Sequence, residues 1–502
     1  MPAQAPHSKR VVIAGGGAAG WMTALALATR LPAAWRVTLV ESSDVAPIGV
    51  GEATLPTIRF FNRALGIDER EFVRRTGATF KLGIDFCDWS RPGERFIHGF
   101  GDYGPPIEGR PSHHQMVRLG LPVAAGAIDA WSAACVAARE ERFAPPRPEE
   151  GSVLSRYSYG YHFDAALYAV YLRELAEARG VERLDRRIVG VELAENGDIA
   201  ALRTAEGDPI AADLFVDCTG FRALLIGEAL GAPFDDWSRW LPCDRAWAVP
   251  TVHPGRWPPV TRATAMAAGW RWRIPLRQRI GNGHVFASAF LDEQAALADL
   301  EAALEEPAAA EPRLIRFRTG RRQDAWRRNC VAIGLSAAFI EPLESTGLHL
   351  IESATGLLIE LFPQDGCRPD LSAAFNRRMG EQLDRLRDFV ILHYRLSARE
   401  EPFWRHMREI PIPDELAHRI ELFRRSGQVV TDPGSFGEPS WLAILLGMGL
   451  VPDGYDPLAD ALPRDAVAQH FARGRELIAR AVQTLPAHRD YLQAVTGEAL
   501  AA

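Results

Sequence analysis

The 502-residue sequence is too long for a single ordinary core, so two or more domains are expected, and its 47% hydrophobic and 24% charged content is typical of a globular protein. A formal net charge of −7 argues against nucleic acid as the main partner. Residues 1–10 lack the apolar core of a signal peptide, and the longest apolar run, residues 441–451, is too short to cross a bilayer. The six scattered cysteines form no C-x-x-C pair, which favours reduced thiols in a cytoplasmic protein over a disulfide scaffold or a metal site.

A strand, a glycine-rich turn and a helix are predicted at the N-terminus. Residues 11–14 are an apolar run that suits a buried parallel strand, and residues 21–30 are good helix formers. Between them Gly15, Gly17 and Gly20 form G-x-G-x-x-G. The first glycine permits a tight turn, the second permits close approach of a pyrophosphate, and the third permits close packing of helix on strand.

A second strand, residues 36–40, is predicted after this helix and ends on Glu41. Glu41 follows Gly20 by 21 positions, which suits a carboxylate that accepts a hydrogen bond from a ribose hydroxyl. The unpaired N–H groups and the dipole of the helix N-terminus favour a diphosphate without a nearby lysine. The segment therefore predicts dinucleotide binding, and leaves FAD and NAD as alternatives.

Four further segments lie between Glu41 and residue 120. Residues 48–56 surround Glu52 with glycine and proline, which is typical of a surface turn or of a loop that lies against a ligand, and a helix is predicted over 57–65. Residues 79–89 alternate as one strand, with Lys81 on the face opposite to the apolar side chains, where most lysines are solvated. Residues 91–115 are predicted to be a loop, which contains His98 and Phe100.

The middle of the chain contains a helix and several strands. An amphipathic helix is predicted over 162–179, followed by strands 189–193 and 199–204 that a hairpin turn at Asn196 and Gly197 connects. Residues 213–222 repeat the pattern of a strand followed by glycine, so they are predicted to return to the nucleotide-binding sheet.

A strand over 269–275 places Trp270, Trp272 and Ile274 on one face, with arginines on the other. A turn at 281–283 is predicted to lead into a partner strand over 285–290. The two indoles favour core packing of a sheet, and the wall of an aromatic cavity is the alternative.

A last buried strand is predicted over 330–334, and residues 341–347 then lead into a helix that begins after Ser345 and Thr346. An acid, two hydroxyls and a glycine at a helix start suit an anion pocket with a carboxylate beside it, or ordinary helix capping. From residue 370 onward the chain is predicted to be mainly helical.

The predicted fold class is α/β. A dinucleotide-binding Rossmann domain with the GxGxxG turn is interleaved with a β-sheet region and followed by a mainly helical C-terminal part. Residues 1–370 form the core with insertions at approximately 60–210 and 235–325, and residues 371–502 form the helical part.

Taken together, these segments resemble the flavin-dependent tryptophan halogenase family across nearly the whole chain. The matching motifs are Gly15 to Trp21, Gly49 to Thr54, Lys81, the W-x-W-x-I-P pattern that ends at Pro275, and Pro342 to Gly347. The tryptophan pattern is specific, and its occurrence with the others in the family's order makes chance similarity improbable.

The resemblance implies that FADH2 from a separate NAD(P)H-dependent flavin reductase, with O2 and a halide ion, gives hypohalous acid, which passes to a second cavity for electrophilic halogenation of an aromatic ring. It implies that Lys81 carries the electrophilic halogen, that Glu344 assists it or accepts the ring proton, and that Thr346 and Gly347 bind chloride or bromide. The implied FAD-binding residues are Gly15, Gly17, Ala18, Ala19, Gly20, Glu41, Gly49, Val50, Gly51, Glu52, Ala53 and Leu335. The implied substrate region comprises His98, Phe100, Trp270, Trp272, Ile274 and Pro275, and no metal site is expected.

One departure from the family concerns the substrate. Members that act on free tryptophan hold its amino and carboxylate groups with tyrosines and a glutamate, and no Tyr or Glu lies between Glu421 and Glu438 here. An indole-like aromatic is therefore the expected substrate, with His98 and Phe100 as candidates to enclose its ring. The alternatives are a single-component FAD-dependent aromatic monooxygenase and a non-catalytic FAD-binding protein.

Overall fold

The computed structural model describes residues 9–44, 51–149, 151–364, 366–432, 436–498 and residue 500. The chain divides into two compact units. The first unit consists of Met1–Gly77, Asp164–Arg239 and Phe317–Asp384, and the second consists of Ala78–Phe163, Trp240–Arg316 and Arg385–Ala502.

The strands of the described residues are β1 (Lys9–Ala14), β2 (Trp35–Glu41), β3 (Gly51–Ala53), β4 (Thr79–Lys81), β5 (Gly83–Cys87), β6 (Arg95–Gly99), β7 (Gly160–Asp164), β8 (Glu182–Asp185), β9 (Ile188–Leu193), β10 (Ile199–Thr204), β11 (Ile210–Ala211), β12 (Leu214–Asp217), β13 (Phe234–Asp236), β14 (Arg245–Thr251), β15 (Val260–Met266), β16 (Gly269–Pro275), β17 (Ile280–Phe286), β18 (Arg313–Arg316), β19 (Gly320–Arg322), β20 (Trp326–Arg327), β21 (Cys330–Ala332) and β22 (Ala338–Phe339).

The α-helices are α1 (Ala18–Arg30), α2 (Thr57–Ala64), α3 (Glu69–Thr76), α4 (Ser112–Leu119), α5 (Ala133–Arg139), α6 (Ala165–Glu177), α7 (Glu293–Ala302), α8 (Gly347–Glu360), α9 (Pro369–Arg395), α10 (Pro402–Glu409), α11 (Asp414–Ser426), α12 (Glu438–Gly447), α13 (Arg464–Gln483) and α14 (His488–Thr496). Across the described part of the chain, no helix combines the length and the apolar character needed to span a membrane.

The first unit is built on a six-stranded sheet of order β20-β21-β12-β1-β2-β8, in which only β20 runs antiparallel to its neighbour. Strand β1 lies in the middle, and residues 11–14 are fully buried, as expected of a parallel strand covered on both faces. The predicted order of strand, turn, helix and strand is therefore confirmed for β1, α1 and β2. The carboxyl ends of β1, β2 and β12 meet at one edge, where ligands bind in folds of this kind.

The second unit is built on a seven-stranded sheet of order β18-β14-β17-β16-β15-β5-β6. Strand β16 is the predicted tryptophan strand, and it pairs antiparallel with β15 and β17. The predicted turn at 281–283 is wrong, because these residues lie inside β17 and the chain reverses over 276–279 instead. The partner strand observed is β17, Ile280–Phe286, so the predicted range of 285–290 lies too far towards the C-terminus.

Three other element predictions need correction. The predicted strand over 79–89 is two strands, because β4 pairs with β7 while β5 pairs with β6 and β15. The predicted loop over 91–115 contains β6 and the start of α4. The predicted helix over 162–179 begins at Ala165, because the Asp164 side chain caps it by accepting from the N–H groups of Ala166 and Leu167.

The two units also divide at boundaries that differ from the predicted insertions. The first insertion ends at Phe163 rather than near residue 210, because α6 packs on α1 and β8 joins β2 in the first unit. The second insertion, Trp240–Arg316, lies close to the predicted range.

Candidate active site

The turn between β1 and α1 requires glycine at two positions. Gly15 has φ 108°, and a Cβ there would lie 2.3 Å from the carbonyl oxygen of Cys218. A Cβ on Gly20 would lie 1.9 Å from the carbonyl oxygen of Gly15. These contacts confirm the sequence argument that the turn and the helix packing both depend on missing side chains.

Gly17 differs from these two glycines, because a Cβ built on it meets no atom of the described residues within 4 Å. It is the N-cap of α1, no side chain in the described part of the protein caps this helix, and the first turn, which includes Ala18 and Ala19, has no acidic residue. The first N–H groups of α1 therefore border open space that a diphosphate could occupy.

Glu41 ends β2 beside this turn. Arg183 of β8 donates from Nε to Glu41 Oε1 at 2.6 Å, a contact that the sequence did not reveal. The other carboxylate oxygen lies over Gly16, where a Cβ would be 1.4 Å from Oε2. A backbone cradle, an uncapped helix start and a fixed carboxylate together fit the diphosphate and ribose of a dinucleotide such as FAD.

The remaining predicted cofactor residues of the first unit lie in two places. Gly51, Glu52 and Ala53 form β3, and burial raises the pKa of Glu52 to about 7. Leu335 lies in the turn that follows β21 and is 36% exposed. Gly49 and Val50 lie outside the described residues.

Glu344 and the predicted halide residues precede α8. Glu344 is fully buried in a short 3-10 turn, and Ser345 adopts the left-handed conformation with φ 60°. Thr346 is the N-cap of α8, Gly347 is its first residue, and none of the described side chains caps this helix. As at α1, the first backbone N–H groups are placed where an anion would bind.

Lys81 is the last residue of β4 in the second unit, and it has no exposed surface. Its Nζ lies 5.1 Å from the centre of the Phe100 ring. The residue opposite it on β7 is Gly160, which has no side chain to crowd the lysine stem. The interpretation of Lys81 as an ordinary solvated strand lysine is therefore wrong.

Lys81 is also unusual in composition, because the chain has only two lysines, Lys9 and Lys81, beside 55 arginines. The lysine side chain can lose its proton to become a nucleophilic amine, whereas the arginine side chain keeps its charge. The second unit contains one such side chain, and it is buried.

An aromatic cluster lies next to Lys81 in the second unit. His98 of β6 is 1% exposed, and its ring centre lies 6.4 Å from that of Phe100, 6.1 Å from that of Phe389 and 6.0 Å from that of Phe436. Phe389 stacks on Phe436 at 4.1 Å and meets Trp441 at 5.4 Å. We call His98, Phe100, Phe389, Phe436 and Trp441 the aromatic cluster.

The sequence identified only His98 and Phe100 of this cluster. Phe389 belongs to the long helix α9 and Trp441 to the apolar run of α12, so their periodicity resembles that of core residues. Phe436 lies in the stretch where no tyrosine or glutamate was found, and it supplies a ring instead of a polar group.

Tyr103 fixes the backbone around His98. Its hydroxyl donates to the carbonyl of Ile97 at 2.7 Å and accepts from the N–H of Gly99 at 3.0 Å. The peptide groups on both sides of His98 are thereby held by one buried side chain.

The tryptophans of β16 are buried, with Trp270 1% and Trp272 8% exposed. The ring of Trp270 lies 6.5 Å from that of Trp89, and that of Trp272 lies over Gly283, where a Cβ would be 2.1 Å away. These contacts pack both tryptophans into the interior of the second unit, and their place in the substrate region stays a prediction. Ile274 and Pro275 are also buried at the end of β16.

His488 of α14 supports the strand that carries Lys81. Its Nε2 accepts from the N–H of Phe80 at 3.2 Å, and its Nδ1 donates to the carbonyl of Trp257 at 2.6 Å. Burial lowers the pKa of His488 from 6.5 to about 4, so the ring is neutral in the folded protein at pH 7.

This neutral ring predicts loss of stability in acid. Below pH 6.5 the unfolded chain binds a proton at His488 that the folded chain rejects until about pH 4, so stability falls as the pH falls through this window. Between pH 7.5 and pH 5 we expect the contribution of His488 to fall by about 2 kcal/mol. Urea unfolding at both pH values should show a smaller pH dependence in His488→Gln than in the parent, and an equal dependence would contradict this assignment.

Comparison with known proteins places this site in a family. The family model described as tryptophan halogenase matches residues 10–464. Tryptophan 6-halogenase SttH of Streptomyces toxytricini is 38% identical over 516 residues, covering 97% of this chain and 98% of that protein. Tryptophan 7-halogenase RebH of Lentzea aerocolonigenes is 35% identical, covering 96% of this chain and 98% of that protein.

The solved structure of BrvH, a flavin-dependent halogenase from Brevundimonas sp. BAL3, superimposes with a TM-score of 0.93 at 46% identity, covering 98% of this chain and all of that chain. Sequence motifs, fold and relatives agree, and the chain belongs to the tryptophan halogenase family of flavin-dependent halogenases.

Proposed function

We propose that the chain is the halogenating component of a two-component system, and that it modifies an indole-like aromatic compound through Lys81. Bound FADH2, supplied by a separate NAD(P)H-dependent flavin reductase, would provide two electrons to O2, and the halide ion would provide two more, so that hypohalous acid and water form. The observation that carries the proposal is a fully buried lysine whose amine lies 5.1 Å from an aromatic ring centre. The six scattered cysteines fit a protein of the cytoplasm, where we place it.

The residues of the first unit hold the reactants of the oxidation. Glu41 and the N–H groups that follow Gly17 hold ribose and diphosphate, and the segment 51–53 with Leu335 lines the flavin. The N–H groups that follow Thr346 hold the halide ion, whose negative charge suits the positive end of α8.

Lys81 and Glu344 carry the halogenation itself. The Lys81 amine holds the halogen as hypohalous acid or as a haloamine and presents it to the ring. The ring carbon then attacks the halogen, a carbon–halogen bond forms, and the halogen's bond to oxygen or nitrogen breaks. The electron pair of the broken bond stays on the oxygen or on the Lys81 nitrogen, which takes up a proton, so that water or the free amine is left. The ring carbon finally loses its proton to a carboxylate, which we assign to Glu344.

The aromatic cluster favours a substrate without a zwitterionic group. The cluster offers ring faces and the imidazole of His98, and Phe436 stacks on Phe389 where an amino acid would need polar partners. An indole that carries a small apolar substituent leaves no charged group to desolvate there.

A matched pair of substrates tests this assignment. We expect 3-methylindole to have at least about tenfold higher kcat/KM than L-tryptophan, because the two share a ring and differ in the charged groups that would lose water. The assay combines the protein with FAD, a flavin reductase, NADH and chloride or bromide, and mass spectrometry identifies the product. A preference for tryptophan would refute the substrate assignment, and oxygen in place of halogen in the product would refute the proposed function.

Gly17→Ser tests the diphosphate site. Serine is a good N-cap with its Cβ in open space, so the apo protein should be as stable as the parent or more stable, while its hydroxyl takes an N–H group that the diphosphate needs. We expect the Kd for FAD to rise at least about tenfold, measured by flavin fluorescence. Gly20→Ser is the contrasting variant, because its Cβ meets backbone and should lower stability. An unchanged Kd in Gly17→Ser would place the diphosphate elsewhere.

A further inference from the structure

A buried chain of hydrogen bonds connects the strand of Lys81 to the tryptophan strand within the second unit. Thr261 Oγ1 lies 3.0 Å from His162 Nε2, and His162 Nδ1 lies 3.0 Å from Thr79 Oγ1. Thr79 Oγ1 in turn donates to the carbonyl of Pro275 at 2.7 Å. Thr79 and His162 have no exposed surface, and Thr261 is 5% exposed.

The direction of every bond in this chain follows from the number of protons. Thr79 has one hydroxyl proton and gives it to Pro275, so it must accept from His162 Nδ1–H. His162 Nε2 then has a lone pair, which accepts from the hydroxyl of Thr261. Each donor and acceptor is used, and the chain specifies a neutral imidazole in one tautomer.

His162 lies beside Lys81 on the same face of the β4–β7 pair. Thr79 is opposite His162 on this pair of strands, and Lys81 is opposite Gly160. The pair between them points to the other face, so these two pairs follow each other on one face of the sheet. Burial and, next, the positive charge of Lys81 lower the pKa of His162 well below its ordinary value. The imidazole of His162 is therefore kept neutral beside the amine of Lys81, the one lysine in the sequence of the second unit.

We propose that His162 is a positioning residue for Lys81. Through the hydrogen bonds that link Thr261, His162, Thr79 and Pro275, it fixes strand β4 against β15 and β16, and with the strand it fixes the Lys81 amine. This inference rests on the proposed role of Lys81. No atom of His162 is left to act on a reactant, because both ring nitrogens are engaged.

A fixed strand is needed because β4 has only three residues and Lys81 is its last one. The lysine stem has four rotatable bonds, and displacement of a reacting group by about 1 Å can cost on the order of 10²-fold in rate. Loss of these hydrogen bonds should therefore leave the formation of hypohalous acid unchanged and lower the fraction of it that halogenates the substrate ring.

Thr79→Val and Thr79→Ser form the main test. Valine keeps the shape of threonine and removes the hydroxyl, whereas serine keeps the hydroxyl. We expect halogenated product per hypohalous acid formed to fall about tenfold in Thr79→Val, with Thr79→Ser restoring most of it. Hypohalous acid that escapes is measured with a β-diketone trap in the same reaction. An unchanged ratio in folded Thr79→Val would overturn the proposal.

The two lysines allow a second measurement that does not depend on turnover. Protein made with lysine labelled with ¹³C at Cε gives two side-chain signals, and Lys9→Arg assigns them. We expect the Lys81 signal of the apo protein to shift or broaden in Thr79→Val and in Thr261→Val, and the Lys9 signal to stay. Thr261→Val removes the hydroxyl at the other end of this series of hydrogen bonds, so it provides the test if Thr79→Val does not fold.

Failure of this inference differs from failure of the proposed function. If Lys81→Met still halogenates, the role of Lys81 is wrong, whatever the Thr79 variants do. If Lys81→Met is inactive while Thr79→Val and Thr261→Val keep the parent's product ratio and Lys81 signal, only the positioning role is refuted.

Discussion

Lys81→Met is expected to lose halogenation by on the order of 10³-fold while FAD binding and hypohalous acid formation persist. Methionine approximates the length of the lysine stem and removes the amine that holds the halogen. Because Lys81 is fully buried, the unfolding temperature of Lys81→Met is measured together with its activity, and the comparison with the parent is made on folded protein. Product is measured by mass spectrometry and escaped oxidant by the trap.

Two control variants give this result its meaning. Lys81→Arg keeps a positive charge that never becomes a neutral amine, and it should be as inactive as Lys81→Met. Lys9→Arg changes the other lysine, at the start of β1, and should match the parent. Halogenation by Lys81→Met at the rate of the parent would exclude the buried amine from the reaction.

Glu344→Gln is expected to slow halogenation about 100-fold without stopping the formation of hypohalous acid. Glutamine has the shape of the fully buried Glu344 side chain and cannot accept the ring proton. The expected signature is a lower rate of product with more oxidant in the trap, compared at equal FAD occupancy.

The neighbouring Glu341 is an internal control for burial of a carboxylate. It begins the same segment and is also fully buried, and it has no proposed part in the reaction. Glu341→Gln should keep halogenation above the rate of Glu344→Gln by at least about tenfold. Equal loss in both variants would assign Glu344 to the stability of the turn.

Local rules predicted the N-terminal unit well, because strand, glycine turn, helix and acid lie within 32 consecutive residues, from Arg10 to Glu41. The glycines can be recognised in the sequence because the contacts that require them lie close along the chain, as the approach of Gly20 to Gly15 shows. The partner Arg183 lies 142 residues from Glu41, and a distant parallel strand brings it there. Nothing in the spacing of a single sequence specifies that pairing.

The alternation of residues 79–89 was a misleading signal for the opposite reason. Both faces of β4 and β5 are covered, so the polar residues of the alternation, Lys81 and Asp85 among them, are buried as completely as Phe80 and Phe86. Period-two patterns predict a solvent face only where one face of the sheet meets water. The family resemblance, and not the pattern, identified Lys81.

The aromatic cluster could be predicted only in part. His98 and Phe100 stand out because a histidine and a ring flank a glycine, but Phe389 lies almost 300 residues further along the chain. Its position in α9 fits ordinary core packing equally well. The rings become a cluster only through tertiary contacts, which a sequence read without its fold does not contain.

The scarcity of lysine has a consequence for the lifetime of the protein during turnover. Hypohalous acid converts primary amines to N-halo derivatives, and apart from Lys81 the side chains offer one amine, that of Lys9. Oxidant that escapes therefore finds few amines to convert, and it attacks sulfur first, in six thiols and seven thioethers. Four of the thiols are buried, whereas Cys87 and Cys367 are partly accessible, and these two should be the first to form sulfenic acid as the preparation ages in use.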